Sequence, residues 1–132
     1  MAGITDLDHL IRSMEPVLQP NTYVFVSVPK LPPNNGLEPV MVFREAEGVT
    51  LILEQAAASS AGLEGVFASR MITLSVHSSL EAVGFLAAIT AKLAKAGMGV
   101  NPVSAFHHDH LFVPADRAEE AMTLLRELAA TR

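Results

Sequence analysis

The sequence predicts an α+β fold in which helices pack on an antiparallel sheet. Two observations favour this class. Short runs rich in β-branched and aromatic residues, typical of strands, alternate with segments whose apolar residues recur at helical spacing. The order of these segments also recurs along the chain, so two units of similar architecture are expected within the 132 residues.

The first half begins with a predicted helix, strand and loop. Residues 5–14 have apolar positions on one helical face, with Thr5 as the N-cap and Pro16 beyond the end. Residues 22–28 are predicted as a strand. Residues 29–38 are rich in proline and asparagine and are therefore expected to form a loop.

Two further strands and a short helix complete this half. The strands are predicted at residues 40–45 and 49–54, joined by a turn in which Gly48 is free to adopt a positive φ. The alanine-rich residues 55–61 are predicted as a short helix that Gly62 closes.

The second half contains a longer helix between strands. A strand is predicted at residues 71–76 and a helix at residues 79–96, which Gly97 terminates together with Gly99. Two strands follow at residues 100–106 and 111–113.

A final helix is predicted from Asp116, its N-cap, to about residue 130. Pro114 stops the strand that precedes it. The apolar face of this helix consists of Ala118, Ala121, Met122, Leu125 and Leu128.

An internal repeat supports the two-unit arrangement. A Pro-Val-x-x-Phe motif begins at Pro39 and again at Pro102, 63 residues later, whereas residues 26–28 resemble residues 74–76 at an offset of 48. The difference between these offsets is about the length of one crossover helix. The second half keeps that helix, and the first half replaces it with the loop at residues 29–38.

Each half therefore has the order strand, connector, strand, strand, helix, which is most of a ferredoxin-like split βαβ fold. The predicted units are residues 1–65, in degenerate form, and residues 66–132. The second unit has no sequence left for its own closing strand. Its open edge must be filled by the other unit or a partner subunit, or remain open.

Composition excludes several classes of function. The chain has no cysteine, so disulfides and thiolate metal sites are excluded. Its nine Lys and Arg residues are scattered and its net charge is −5, which argues against nucleic-acid binding. No membrane span or signal peptide is expected, so the predicted location is the cytoplasm. An apolar content of 50% predicts a homodimer or larger homo-oligomer.

Residues 83–100, with an apolar helix and an Ala-Gly-x-x-Val exit, resemble the core motif of ACT domains. Residues 43–51 and 108–114 resemble more closely a bacterial family of uncharacterised tandem ACT-like proteins. The resemblance extends from about Thr5 to Leu128. It implies two ACT-like βαββα units, the first one degenerate, and a regulatory module that binds an amino acid.

The resemblance places a ligand site at the loop before the second-half helix. Ser78 and Glu81 have the spacing of a capping box, and free N–H groups at a helix N-terminus favour a carboxylate. Gly84 leaves room for a ligand because it has no Cβ. The predicted site residues are Ser78, Ser79, Leu80, Val83, Gly84 and Phe85, with Asn101, Pro102 and Val103 as the opposing wall across an interface.

The histidine-rich residues 107–110 support an alternative. On a strand, His108 and His110 share one face, and two imidazoles can contribute to a zinc site. The spacing matches no HExxH or paired-finger pattern. The other interpretation of these residues, without a metal, is a polar hairpin turn whose imidazoles form hydrogen bonds with nearby carbonyl groups.

Three functional hypotheses follow from the sequence. The first is a stand-alone regulatory module that senses a small amino acid or similar zwitterion and acts on a partner in trans. The second is a metal-binding protein or metal-dependent enzyme built on the histidine hairpin, and the third is a structural oligomer without a ligand. No cofactor is predicted. No enzymatic activity is expected, because the sequence contains no G-x-S-x-G elbow and no phosphate-binding glycine loop.

Overall fold

A computed structural model describes residues 6–31 and 36–132. The helices in these ranges are α1 (Leu7–Ser13), α2 (Gln55–Ser60), α3 (Phe85–Ala94) and α4 (Ala118–Ala130). The strands are β1 (Glu15–Val28), β2 (Met41–Glu45), β3 (Gly48–Glu54), β4 (Val66–Ser75), β5 (Asn101–Ser104) and β6 (Asp109–Pro114). The α+β class predicted from the sequence is confirmed.

The strands form a six-stranded sheet in the order β2-β3-β1-β4-β6-β5. The β1–β3, β2–β3 and β5–β6 pairs are antiparallel. The strand β4, which includes the predicted strand at residues 71–76, is one of the two central strands. Both β1 and β4 are long because each takes part in two compact units of the chain.

One compact unit contains residues 6–20 and 70–132. Its core is formed by β4, β6 and the helices α1, α3 and α4, with Leu74, Ile89, Leu111 and Leu125 fully buried. Gln19 of β1 lies beside β4, since its side-chain amide donates a hydrogen bond to Thr73 Oγ1 at 3.1 Å. The first residues of β1 therefore supply the closing strand that the second half of the sequence lacks.

The other compact unit contains residues 21–69, described except for residues 32–35. Its core consists of Val24, Val26, Val49, Leu51, Leu53 and Ala58. Gly48 begins β3 with φ +151°, and a Cβ at this position would lie 2.7 Å from the Val28 carbonyl oxygen. The expectation of a positive φ at Gly48 is therefore confirmed, and the close approach of β1 explains the requirement for glycine.

The division into repeated units at residues 1–65 and 66–132 was based on the internal repeat of the sequence, and it stays a prediction. The compact units divide the chain elsewhere, because α1 and residues 15–20 pack with the second half. Leu10 and Ile11 of α1 are fully buried in that core.

The predicted ends of several elements differ from those observed. The predicted N-cap Thr5 and the predicted loop residues 32–35 lie outside the described residues. The N-cap of α1 is Asp6, whose carboxylate accepts a hydrogen bond from the His9 N–H at 2.8 Å.

Strand β1 begins at Glu15 rather than at residue 22 and continues through Pro16 and Pro20. The guanidinium of Arg70 donates two hydrogen bonds to the Gln19 carbonyl, at 2.7 and 3.0 Å. The Arg70 side chain therefore satisfies the Gln19 carbonyl group next to Pro20. Pro20 has no N–H group, so it interrupts the hydrogen-bond ladder of the strand.

Helix α3 begins at Phe85 rather than at Ser79, and the predicted capping box is wrong. Gly84 is the N-cap and has the left-handed φ of +89°, which breaks the helical path before it. The Ser79 hydroxyl accepts a hydrogen bond from the Glu81 N–H within the preceding loop instead. Helix α4 likewise begins at Ala118, after a 3-10 turn that contains Asp116, so Asp116 is not its N-cap.

Candidate functional site

A small cavity of about 230 Å³ lies at the N-terminus of α3. It is bordered by the loop after β4, the first turn of α3, and the β5–β6 hairpin. The lining residues are Ser78, Ser79, Leu80, Ala82, Gly84, Phe85, Leu86, Ala87, Ser104, Ala105 and Asp109. This volume lies below the roughly 300–1,000 Å³ of pockets for drug-sized ligands, so the cavity fits a small molecule.

The structure brings five of the predicted site residues to this cavity: Ser78, Ser79, Leu80, Gly84 and Phe85. Val83 is not among the lining residues, and its side chain is 83% exposed. Phe85 borders the cavity, but it is 3% exposed because its ring packs into the core.

The predicted opposing wall of Asn101, Pro102 and Val103 is also absent from the lining. Ser104, Ala105 and Asp109 form that wall instead. Ser104 pairs with Asp109 at the end of the β5–β6 hairpin, next to the loop after β4, whereas Asn101 pairs with Phe112 further along it.

Among the polar residues of this wall, Asp109 is the least exposed, at 8%. Its Oδ2 accepts a hydrogen bond from the Ser78 hydroxyl at 3.3 Å. No described Lys, Arg or His side chain forms an ion pair with it. The sequence analysis placed Asp109 in a histidine turn, whereas Asp109 is the first residue of β6. It lies two residues before the buried Leu111 and therefore on the same face of the strand, which was the available signal of burial.

The first turn of α3 contributes an electropositive part of the cavity lining. The Gly84 carbonyl accepts the first helical hydrogen bond, from the Ala88 N–H at 2.9 Å, and no side chain caps the helix. The N–H groups of Phe85, Leu86 and Ala87 therefore precede the helical ladder, and all three residues border the cavity. Such groups bind anions.

The histidines of the hairpin bond to the protein itself. His108 Nδ1 lies 3.4 Å from the Val76 carbonyl oxygen, and His110 Nδ1 lies 3.0 Å from Thr73 Oγ1. Their rings are 6.5 Å apart. Within residues 6–31 and 36–132, no three His, Asp or Glu side chains are grouped so that they can hold a metal ion.

Burial lowers the pKa of His110 below its ordinary value of 6.5, and the neighbouring His108 lowers it further, against a smaller opposite effect of Asp109. As the pH falls below 6.5, the unfolded chain binds this proton before the folded chain does. The free energy of unfolding is therefore expected to decrease until the pH is below the folded pKa.

A His110→Asn variant should show a shallower loss of stability between pH 7 and pH 5, measured by urea denaturation. Asparagine keeps a polar atom near the position of Nδ1 but does not titrate. The matched control is His9→Asn on the exposed surface of α1. A His110→Asn variant with the same slope as the wild type and the His9→Asn control would contradict the expectation.

Two models of the ACT domain match the sequence in tandem, one over residues 2–70 and the other over residues 66–127. The chain belongs to the ACT-domain family. ACT domains are regulatory modules that bind amino acids. The predicted resemblance is thus confirmed over nearly the whole chain.

Solved structures agree with this assignment. An ACT-like neighbour is a Vibrio cholerae protein of unknown function, described as a possible transport protein, with 43% identity and a TM-score of 0.84; the match covers 93% of this chain and 95% of that one. The regulatory subunit of aspartate kinase from Thermus thermophilus, in its ligand-free form, has 11% identity and a TM-score of 0.66 over 88% of this chain and 96% of its own.

Aspartokinase III from E. coli, solved with aspartate and ADP, has 12% identity and a TM-score of 0.62 over 85% of this chain and 32% of its own. At these low identities the two kinase structures establish the ACT fold alone. A comparison with functionally curated proteins gives no match. In the described part of this ACT protein, no helix is both long and apolar enough to span a membrane.

Proposed function

We propose that this ACT protein is a stand-alone regulatory module that binds a small amino acid and acts on a partner protein in trans, without enzymatic activity of its own. The observation that carries the proposal is the cavity at the N-terminus of α3. Its lining contains both the uncapped N–H groups of the first turn of α3 and the carboxylate of the buried residue Asp109. We expect the protein to act in the cytoplasm.

The N–H groups of α3 and the Asp109 carboxylate suit the two charges of an amino acid. Uncapped N–H groups at a helix N-terminus attract a carboxylate. A buried carboxylate attracts an ammonium group. Ala82, Ala87 and Ala105 contribute small side chains to the lining, which leave space for a ligand.

We also propose that the active form is a homodimer or larger homo-oligomer. Leu80 and Phe106 are 67% and 69% exposed beside the cavity, and Val83 is more exposed still. Large apolar side chains that cluster on a surface are typical of interaction sites. Light scattering is expected to give a mass of at least twice 14.1 kDa, and a constant monomer mass over a wide concentration range would contradict this part of the proposal.

A thermal-shift screen with the common amino acids, and with Zn²⁺ and Mg²⁺ in separate wells, tests the main proposal. A ligand that binds the folded state alone stabilises it by RT ln(1 + [L]/Kd), about 2.7 kcal/mol at a hundredfold excess over Kd. We expect one or a few amino acids to raise Tm. Stabilisation by metals but by no amino acid would favour the histidine site instead, and no stabilisation by any of them would favour the structural oligomer.

A further inference from the structure

We propose that Asp109 recognises the ammonium group of the ligand and makes the cavity selective for small amino acids with uncharged side chains over dicarboxylic ones. This inference rests on the proposed function, because it concerns the ligand of the same cavity. It adds the residue that determines specificity and the chemical class of the ligand.

Asp109 forms no ion pair with a described Lys, Arg or His side chain. The residue as a whole is 8% exposed, and the Ser78 hydroxyl is the hydrogen-bond donor to its carboxylate among the described residues. Burial of an ionised group without a partner of opposite charge costs several kcal/mol. A bound ammonium group would offset that cost.

The two oxygens of this carboxylate differ in their hydrogen bonds. Oδ2 accepts the bond from Ser78, whereas no described group donates to Oδ1. Among the described residues that are not exposed, no fully enclosed side-chain oxygen lacks a hydrogen bond. Oδ1 therefore keeps some accessible surface, and the open space that Asp109 borders is the cavity. One oxygen is held in place, and the other remains available to a ligand.

The neighbouring histidines do not replace the missing cation. His110 bonds through Nδ1 to Thr73, which in turn accepts a hydrogen bond from the Gln19 amide. Burial lowers the pKa of His110 and favours its neutral form. His108 is directed to the Val76 carbonyl. The cavity lining itself contains no Lys, Arg or His side chain.

Selectivity follows from this distribution of charge. The first carboxylate of any amino acid can bind at the N-terminus of α3. The second carboxylate of aspartate or glutamate would lie in a cavity of about 230 Å³ that contains the Asp109 carboxylate and no cationic side chain. Repulsion between like charges and the loss of hydration both disfavour it.

Titration calorimetry with L-alanine and L-aspartate tests the inference. Wild-type protein is expected to bind L-alanine at least tenfold more tightly than L-aspartate. The Asp109→Asn variant, which keeps the shape of the side chain and an acceptor for Ser78, is expected to bind L-alanine at least tenfold more weakly. The control Asp116→Asn removes an exposed carboxylate outside the cavity and should bind as the wild type does.

The outcomes separate the inference from the proposed function. If L-aspartate binds the wild type as tightly as L-alanine does, or if Asp109→Asn leaves the affinity for L-alanine unchanged, the inference is overturned and the amino-acid site stands. Binding of neither amino acid overturns the inference, whereas the proposed function is overturned only if no common amino acid raises Tm. The wild-type comparison tests the selectivity even if Asp109→Asn does not fold. A Zn²⁺ or Mg²⁺ effect on Tm that Asp109→Asn abolishes, without amino-acid binding, would assign the carboxylate to a metal and also overturn the inference.

Discussion

Replacement of Gly84 with aspartate is expected to abolish amino-acid binding at millimolar concentration while the protein remains folded. A carboxylate at this position would lie at the N-terminus of α3, where the carboxylate of the ligand is expected, and would add a second negative charge to the cavity of Asp109. Asp and Asn are among the residues that best tolerate the positive φ of Gly84, so a Gly84→Asn variant carries the same backbone strain and isolates the effect of the charge.

The matched control is Gly84→Asn, which has nearly the same shape and no charge. Asparagine is among the residues that best tolerate a positive φ such as the +89° of Gly84, and a Cβ there would lie at an ordinary 3.5 Å from Leu7 Cδ2. Calorimetry should give at least a tenfold difference in Kd between the two variants. Equal affinities in Gly84→Asp, Gly84→Asn and the wild type would contradict the site assignment.

Truncation of Leu74 to alanine is expected to cost about 2–5 kcal/mol of stability. Leu74 lies near the end of β4 and is fully buried, within the core that α1, α3 and α4 share. This cost is a large part of the roughly 5–15 kcal/mol that stabilises an ordinary domain. Urea denaturation monitored by circular dichroism measures the change.

The control for this truncation is Val66→Ala on the same strand. Val66 is 64% exposed, so its truncation should change the free energy of unfolding by no more than about 0.5 kcal/mol. A loss at Leu74 no larger than the loss at Val66 would contradict the burial of Leu74 in this core.

The apolar face of α4 shows what the sequence can predict. Ala118, Ala121, Met122 and Leu125 are all buried, as the helical spacing indicated, while Leu128 packs at the margin of the core. A regular period in a helix depends on local geometry alone. The closures by Gly62 and Gly97 were predictable for the same reason, and both have the expected positive φ.

Long-range pairing was harder to predict. Pro16 and Pro20 argue against a strand when read locally, yet β1 extends through both, next to the Arg70 side chain on β4. The start of α3 was predicted at the wrong residue because Ser78 and Glu81 have the spacing of a capping box. The observed start depends on the left-handed conformation of Gly84, where the loop meets the helix.

The same limit applies to the candidate site. Sequence reasoning found the loop from Ser78 to Phe85, because a helix N-terminus has a local signature. Asn101 to Val103 stay a prediction for the wall across an interface. Within one chain Ser104 and Asp109 border the cavity, which depends on the register of the β5–β6 hairpin. A shift of a few residues along a strand changes which side chains border the cavity.

The most direct test of amino-acid binding at the N-terminus of α3 is a titration of the ¹⁵N-labelled protein with L-alanine, followed by the backbone amide chemical shifts in solution. The largest changes are expected at residues 78–87 and 104–109, with the N–H groups of Phe85, Leu86 and Ala87 among them. Changes confined to another surface, such as the groove between Arg12 and Arg126, or no changes at millimolar L-alanine and the other common amino acids, would contradict it.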